Sequence, residues 1–369
     1  MNSIKASTFS ARKNRGLGKA WKVFGSAFTL AALSTTSQSI AASMNTSALP
    51  TPDHVLIVIM ENHGAGSVLG SADAPYINAL AGDSQAAVFT QSYALTHPSQ
   101  PNYLMLFSGS AQGVTDDNVP SPLPFTTPNL GAALLTRGLG IVAYSEDLPS
   151  VGFTGATSQG YARKHAPWVN WQGGGKNGLP AGTHHPMADF PADLASLPAV
   201  TYVVPNLADD MHDGTVAQGD AWLKAHLDVY VRWARAHNSL FILTFDEDES
   251  AGGGNQIPTL FLGPMVKQGK YPERITHYNV LRTLGDFYGA APSGAADTAK
   301  PILDVWKGTT KIRVGPPRLG AHPGKGAVRT AGFSEMSWME GGDVGIARFR
   351  SLLGRRLTVL DQSYTIGWE

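Results

Sequence analysis

The run His54-Val55-Leu56-Ile57-Val58-Ile59-Met60 is continuously apolar and rich in β-branched side chains. A strand with no polar position to turn toward water must be covered on both faces, which is the condition of a strand inside a mainly parallel sheet. Similar short runs recur at residues 87–93, 140–144, 200–204, 239–245 and 257–262, several of them alternating with helical patterns. Residues 220–237 place Trp222, Leu223, His226, Leu227, Tyr230, Val231 and Ala234 at helical spacing, with Asp220 positioned to cap the start. Residues 278–288 form a second helical pattern with Gly289 just after it. Strands alternating with helices predict an α/β fold, a mainly parallel central sheet with helices on both faces.

In such sheets ligands bind beyond the carboxyl ends of the strands. Polar clusters sit where that rule puts them: Glu61-Asn62-His63 after the first run, Asp209-Asp210-Met211-His212-Asp213 after Pro205-Asn206, and Asp246-Glu247-Asp248-Glu249 after residues 239–245. Three acidic clusters are therefore expected to converge on one edge of the sheet.

The start of the chain has a different character. Lys5, Arg12, Lys13, Arg15, Lys19 and Lys22 occur with no acidic residue, followed by an apolar run over residues 23–33 and then Ala41 and Ala42. That order predicts a secretory signal peptide over residues 1–42, cleaved near Ala41 or Ala42, and a periplasmic or secreted protein. The apolar run is about half of the ~20 residues that span a bilayer, so no integral membrane segment is expected after cleavage. Removing six of the 28 basic residues against 28 acidic ones leaves 22 − 28 = −6, a charge with no reason to seek nucleic acid. The absence of cysteine excludes disulfides, thiolate metal ligands and a cysteine nucleophile. Residues 43–304 are expected to form one catalytic domain. Residues 305–369, with Pro316, Pro317, Gly320, Pro323, Gly324 and Gly326, are expected to form a C-terminal extension packed on it.

Phosphoryl transfer to a protein hydroxyl needs a deprotonated nucleophile, positive charge for the phosphate oxygens and a donor for the leaving group. In Thr96-His97-Pro98-Ser99-Gln100-Pro101-Asn102-Tyr103, Ser99 is placed to cap a helix beginning at Gln100 or Pro101, where free N–H groups favour an anion. A plain helix cap is the local alternative. Glu61, Asn62, Asp246 and Glu247 come from two strand ends and would give one divalent ion an oxygen cage, with Ser99 as a further ligand. Adjacent carboxylates without a cation would repel.

The motifs Ile59-Met60-Glu61-Asn62-His63, His97-Pro98-Ser99-Gln100-Pro101-Asn102-Tyr103, Asp210-Met211-His212-Asp213 and Thr244-Phe245-Asp246-Glu247-Asp248 occur in that order. Together they resemble the phosphoesterase family of secreted acid phosphatases and non-specific phospholipases C, over residues 53–288. The resemblance implies an alkaline-phosphatase-like fold, metal ligands at Glu61, Asn62, Asp246 and Glu247, and a nucleophile at Ser99. It also implies a phosphoserine intermediate and a small phosphoester or phospholipid headgroup as substrate. The short C-terminal region favours the phosphatase branch over the larger phospholipases.

Further residues fall around these. His97, Asn102, Lys164, His165 and Asp210 are candidates for holding the substrate, and His212, between acidic neighbours, for protonating the departing alcohol. His277 reads as a cap or core residue. Gly173-Gly174-Gly175-Lys176 lacks the spacing of a nucleotide P-loop, and Gly252-Gly253-Gly254-Asn255 reads as a turn. Two further readings share the residues: a phosphodiesterase of phospholipase C type, and an exported binding protein whose catalytic centre has decayed. A sulfatase is disfavoured because Tyr103 stands where its motif needs arginine.

Overall fold

A computed structural model describes residues 49–249 and 254–307, with the backbone of two further strands at residues 358–360 and 365–367. The expected signal peptide, most of the C-terminal extension and Gly252 and Gly253 lie outside the described residues. In chain order the strands are β1 (His54–Met60), β2 (Ala86–Phe89), β3 (Ser92–Tyr93), β4 (Ile141–Ser145), β5 (Thr157–Ser158), β6 (Tyr161–Ala162), β7 (His184–Pro186), β8 (Val200–Val204), β9 (Ser239–Phe245), β10 (Thr259–Leu262), β11 (Gly269–Tyr271) and β12 (Ile275–Thr276). The α-helices are α1 (Ala65–Val68), α2 (Pro75–Ala81), α3 (Ser99–Ser108), α4 (Leu130–Thr136), α5 (Val216–Ala234) and α6 (His277–Phe287).

Eight strands form one sheet in the order β11-β2-β10-β9-β1-β8-β4-β7. Only β10 runs against the rest, antiparallel to both β2 and β9. The strand β1 is central, parallel to β8 on one side and β9 on the other. Its unbroken apolar sequence is explained by two buried faces. Val55, Ile57 and Ile59 pack with α3, α4 and α6 through residues such as Leu104, Phe107, Leu130 and Leu284. Leu56, Val58 and Met60 pack with α2 and α5 through Ile77, Leu80, Leu223, Leu227 and Val231. Each fully buried side chain of this kind contributes about 1.5–3 kcal/mol of transfer free energy, so the sheet is fixed from both sides.

Two local expectations differ from the structure. The 87–93 run divides into β2 and β3. The long helix begins at Val216, where Thr215 accepts from the Gln218 N–H, so Asp220 lies inside it. Asp220 caps a different helix: its buried carboxylate accepts from the N–H groups of Tyr76 at 2.9 Å and Ile77 at 2.7 Å. Those are free donors of the first turn of α2, whose own N-cap, Ala74, offers no side-chain bond.

The chain divides into two compact units, the first ending at Trp306 and the second covering Lys307–Glu369. In the second, β13 (Thr358–Leu360) and β14 (Thr365–Gly367) form an antiparallel pair. Among the described residues no helix is long and apolar enough to cross a membrane.

Candidate active site

Strands β1 and β9 are parallel neighbours with Met60 opposite Phe245, so the residues that follow each begin side by side. The Asp246 N–H donates to the Met60 carbonyl at 3.1 Å, and the Glu61 N–H to the Asp210 carbonyl at 2.8 Å, which draws in the loop after β8. Asn62 adopts φ 50°, the left-handed region that asparagine tolerates better than most residues. This sets its N–H on Asp246 Oδ1 at 3.1 Å, so Asn62 meets the cluster through its main chain.

Ser99 is the first residue of α3 rather than its cap; Pro98 holds the cap position and makes no side-chain bond there. The hydroxyl is thereby released from helix capping. Its Oγ lies 3.1 Å from Glu61 Oε2 and 3.3 Å from Glu247 Oε1, and its single proton serves one of them at a time. Every residue of α3 is buried, so the serine is carried into the site on a helix with no wet face.

Glu61, Asp246 and Glu247 are all buried. Burial pushes Asp246 well above the usual carboxylate range, with the charges of Glu61 and Glu247 adding to it. Burial, and then the Glu61 charge, pushes Glu247 up to about 8. Glu61 ends below its ordinary value: burial opposes ionisation, but the charge of His165 beside it outweighs burial. Buried Asp246 Oδ2 and Glu61 Oε1 have no hydrogen-bond partner.

His165 fills the other side of Glu61. Its Nε2 is 3.0 Å from Glu61 Oε1 and its Nδ1 is 3.0 Å from Asp210 Oδ2. The contacts are close but out of line, and neither Nε2 nor either carboxylate oxygen satisfies hydrogen-bond geometry. Burial opposes a charge on His165, but the charges of Glu61 and Asp210 beside it outweigh burial and raise it to about 9. Burial, reinforced by Glu61, raises Asp210 to about 6 despite His165. Tyr103 stacks on the imidazole at 5.1 Å and 12°.

The remaining candidates occupy distinct places. Asn102 uses its amide within the protein: Nδ2 donates to Glu247 Oε2 at 3.0 Å and to the Thr96 carbonyl at 2.7 Å, and Oδ1 accepts from the Leu95 and Thr96 N–H groups. His97 Nε2 meets Asp248 Oδ1 at 2.9 Å. Lys164 Nζ lies 3.0 Å from Asp117 Oδ2 and 2.9 Å from His212 Nε2. An ammonium has only protons to give, so Nε2 of His212 is the accepting nitrogen and Nδ1 donates to Asp213 Oδ1 at 2.7 Å. In this arrangement Lys164, and not His212 Nε2, carries the proton between them. His277 is buried, with Nε2 2.8 Å from the Asp246 carbonyl, and burial holds it down at about 4. A cavity of about 420 Å3 is lined by Gln100, Asp117, Lys164 and His212, with Val119 and Leu207 among its apolar residues.

One grouping was not read from the sequence. Glu61, His165 and His212 offer ligand atoms within 4.8 Å of one another, a second set able to hold a metal ion that shares Glu61 with the acidic cluster. Asp117, in an Asp-Asp-Asn loop with nothing to distinguish it from a solvated turn, was also missed.

Residues 66–291 match the family model described as the Phosphoesterase family. The chain belongs to the phosphoesterase family. This phosphoesterase is 46% identical over 262 residues to a phosphatidylinositol-3-phosphatase from Mycobacterium tuberculosis, covering 70% of this chain and 85% of that one. It is 30% identical over 236 residues to an acid phosphatase from Aspergillus fumigatus, covering 60% of this chain and 53% of that one. A phosphate-repressible acid phosphatase from Penicillium chrysogenum is 25% identical over 238 residues, 60% of this chain and 56% of that one. The phosphoesterase thus spans about half the length of the two fungal enzymes. Among solved structures it is similar to a protein in the alkaline phosphatase superfamily from Vibrio parahaemolyticus, with a TM-score of 0.49, 13% identity and coverage of 88% and 83%. The phosphoesterase is a phosphoric ester hydrolase.

Proposed function

We propose that this phosphoesterase is an exported, metal-dependent phosphomonoesterase in which Ser99 attacks phosphorus. The observation that carries the reading is Ser99 Oγ, freed from capping and set against Glu61 and Glu247 at 3.1 and 3.3 Å. Three buried carboxylates around one hydroxyl, one of them with an unpartnered Oδ2 at Asp246, suit a hard divalent cation. Glu61, Asp246 and Glu247 would hold it, with Asn62 beside them and His165 and His212 as further donors on the Glu61 side. When bound, the ion supplies positive charge that favours the serine alkoxide and the phosphate oxygens.

The protein's own groups do the rest. Ser99 gives its proton to the carboxylate it faces, Glu61 or Glu247, as Oγ bonds to phosphorus and the bond to the ester oxygen breaks; the departing alcohol takes up a proton from solvent, and water then releases phosphate from phosphoserine. In the first turn of α3 the Gln100 N–H is taken by Asp117 and Pro101 has none, which leaves the Ser99 N–H for the transferring phosphate. Asn102 fixes Glu247, and His165, between Glu61 and Asp210, fixes Glu61. Export is supported by the basic, acid-free start and short apolar run of the sequence.

The relative at 46% identity is named a phosphatidylinositol-3-phosphatase, which favours a lipid headgroup phosphomonoester among the substrates. A test compares p-nitrophenyl phosphate, phosphatidylinositol 3-phosphate and p-nitrophenyl phosphocholine, with and without chelator, in the parent and Ser99→Ala. The expected result is chelator-sensitive turnover of the two monoesters, lost in Ser99→Ala. Preference for the phosphocholine diester would move the reading to a phospholipase C type. Ser99→Ala activity within about tenfold of the parent, only ~1.4 kcal/mol of barrier, would remove Ser99 as nucleophile.

A further inference from the structure

Because α3 begins with Ser99, whatever holds its first turn also fixes that hydroxyl. Gln100 is clasped by the loop that precedes α4. Its N–H donates to Asp117 Oδ1 at 3.0 Å, and its side-chain Nε2 donates to the carbonyls of Asp116 at 2.9 Å and Asn118 at 2.7 Å. The other oxygen of the same carboxylate, Asp117 Oδ2, accepts from Lys164 Nζ at 3.0 Å. Asp117 therefore joins two donors that a phosphate ester would otherwise meet separately, a helix N-terminal N–H and an ammonium.

Lys164 is held on its second side by His212 Nε2 at 2.9 Å. Of the three protons of an ammonium, these two contacts leave one for a ligand. Gln100, Asp117, Lys164 and His212 all line the cavity beside α3, and the charge of Lys164 reaches Glu61 and Glu247, favouring ionisation of both. Lys164 is thus close to the carboxylates around Ser99 and also open to the cavity. In-line attack by Ser99 requires the leaving oxygen to point away from the serine, and the cavity offers room for the alcohol attached to it.

We propose that Asp117 is a positioning residue for hydrolysis: bridging the Gln100 N–H and Lys164, it holds the Lys164 ammonium as hydrogen-bond donor to the leaving oxygen. The inference rests on the Ser99 phosphoesterase reading. No proton need leave Lys164; the bond it donates strengthens as negative charge grows on the departing oxygen. Asparagine at this position would keep one acceptor and lose the charge, and alanine would release both donors.

Two measurements on the mature protein test this, using Asp117→Ala and Asp117→Asn. The first needs no turnover: acetylation of Lys164 by an amine-reactive ester is followed by mass spectrometry, with exposed Lys224 as internal reference. Release from a charged partner worth about 1.4 kcal/mol should speed Lys164 acetylation about tenfold in Asp117→Ala, with Asp117→Asn between. The second compares kcat/KM for p-nitrophenyl phosphate and glycerol phosphate. Asp117→Ala should slow the alkyl ester about tenfold more than the aryl ester, whose phenolate leaves without help. An unchanged Lys164 acetylation rate would overturn the bridge, and equal slowing of both esters would overturn the leaving-group role. If Asp117→Ala fails to fold, Asp117→Asn carries both readouts. Turnover of neither ester by the parent would sink the hydrolase reading and the leaving-group role with it, and the acetylation rates would still decide whether Asp117 holds Lys164.

Discussion

His184 lies at the start of the edge strand β7, almost wholly buried, with Nε2 2.8 Å from Ser145 Oγ and Nδ1 without a partner. The rings of Trp168 and Tyr161 stand 5.4 and 5.8 Å away. Burial first, then the charges of His185 and Arg163, push its pKa from 6.5 down to about 3. The folded protein therefore keeps the neutral ring while the unfolded chain takes up a proton below about 6.5. Its contribution to stability is present above that pH and is lost as pH falls from about 6.5 toward about 3. At pH 5 the deficit is about 1.5 pH units, or about 2 kcal/mol at ~1.36 kcal/mol per unit. Other groups titrate in the same window, His277 among them with a pKa near 4, so the parent's pH dependence alone would not isolate His184. The cost of His184→Gln does, because the remaining groups cancel between the two proteins. Urea unfolding of both at pH 7 and pH 5 should show that cost about 2 kcal/mol smaller at pH 5, where the parent has lost what the variant never had. An equal cost at both pH values would refute the reasoning.

Asp220→Ala should lower stability by about 3 kcal/mol, since it strands two N–H donors of α2, whose own N-cap offers no side-chain acceptor; a loss under about 0.5 kcal/mol in urea unfolding would show that α2 does not depend on it. Asp246→Ala should lose both bound divalent metal and activity, and stoichiometric metal by elemental analysis in that variant would remove Asp246 from the ligand set. N-terminal sequencing of exported protein should begin near Ala42 or Ser43, and an intact Met1 would show that the basic, apolar start is not cleaved.

What the sequence determined by itself is what local pattern controls. The unbroken apolar run of β1 reads as a strand buried on both faces because every side chain in it, whichever way it points, must find an apolar neighbour. The strand ends were equally legible: a parallel sheet delivers Glu61 and Asp246 to the same edge whatever the loops do, so an acidic pair there could be proposed from order alone. Tertiary structure decided where polar atoms spend their hydrogen bonds. Ser99 and Asp220 both read as caps of the helices they were expected to begin. Ser99 became the first residue of its helix, with its hydroxyl on carboxylates that follow β1 and β9, while Asp220 reaches from α5 to α2. Capping preference records only that such side chains need a nearby partner, and a partner brought from another element serves as well. The same reason hid His165 between Glu61 and Asp210, and Asp117 between Gln100 and Lys164. Those contacts join different segments of the chain, and only the packed sheet and its helices set the distance between them.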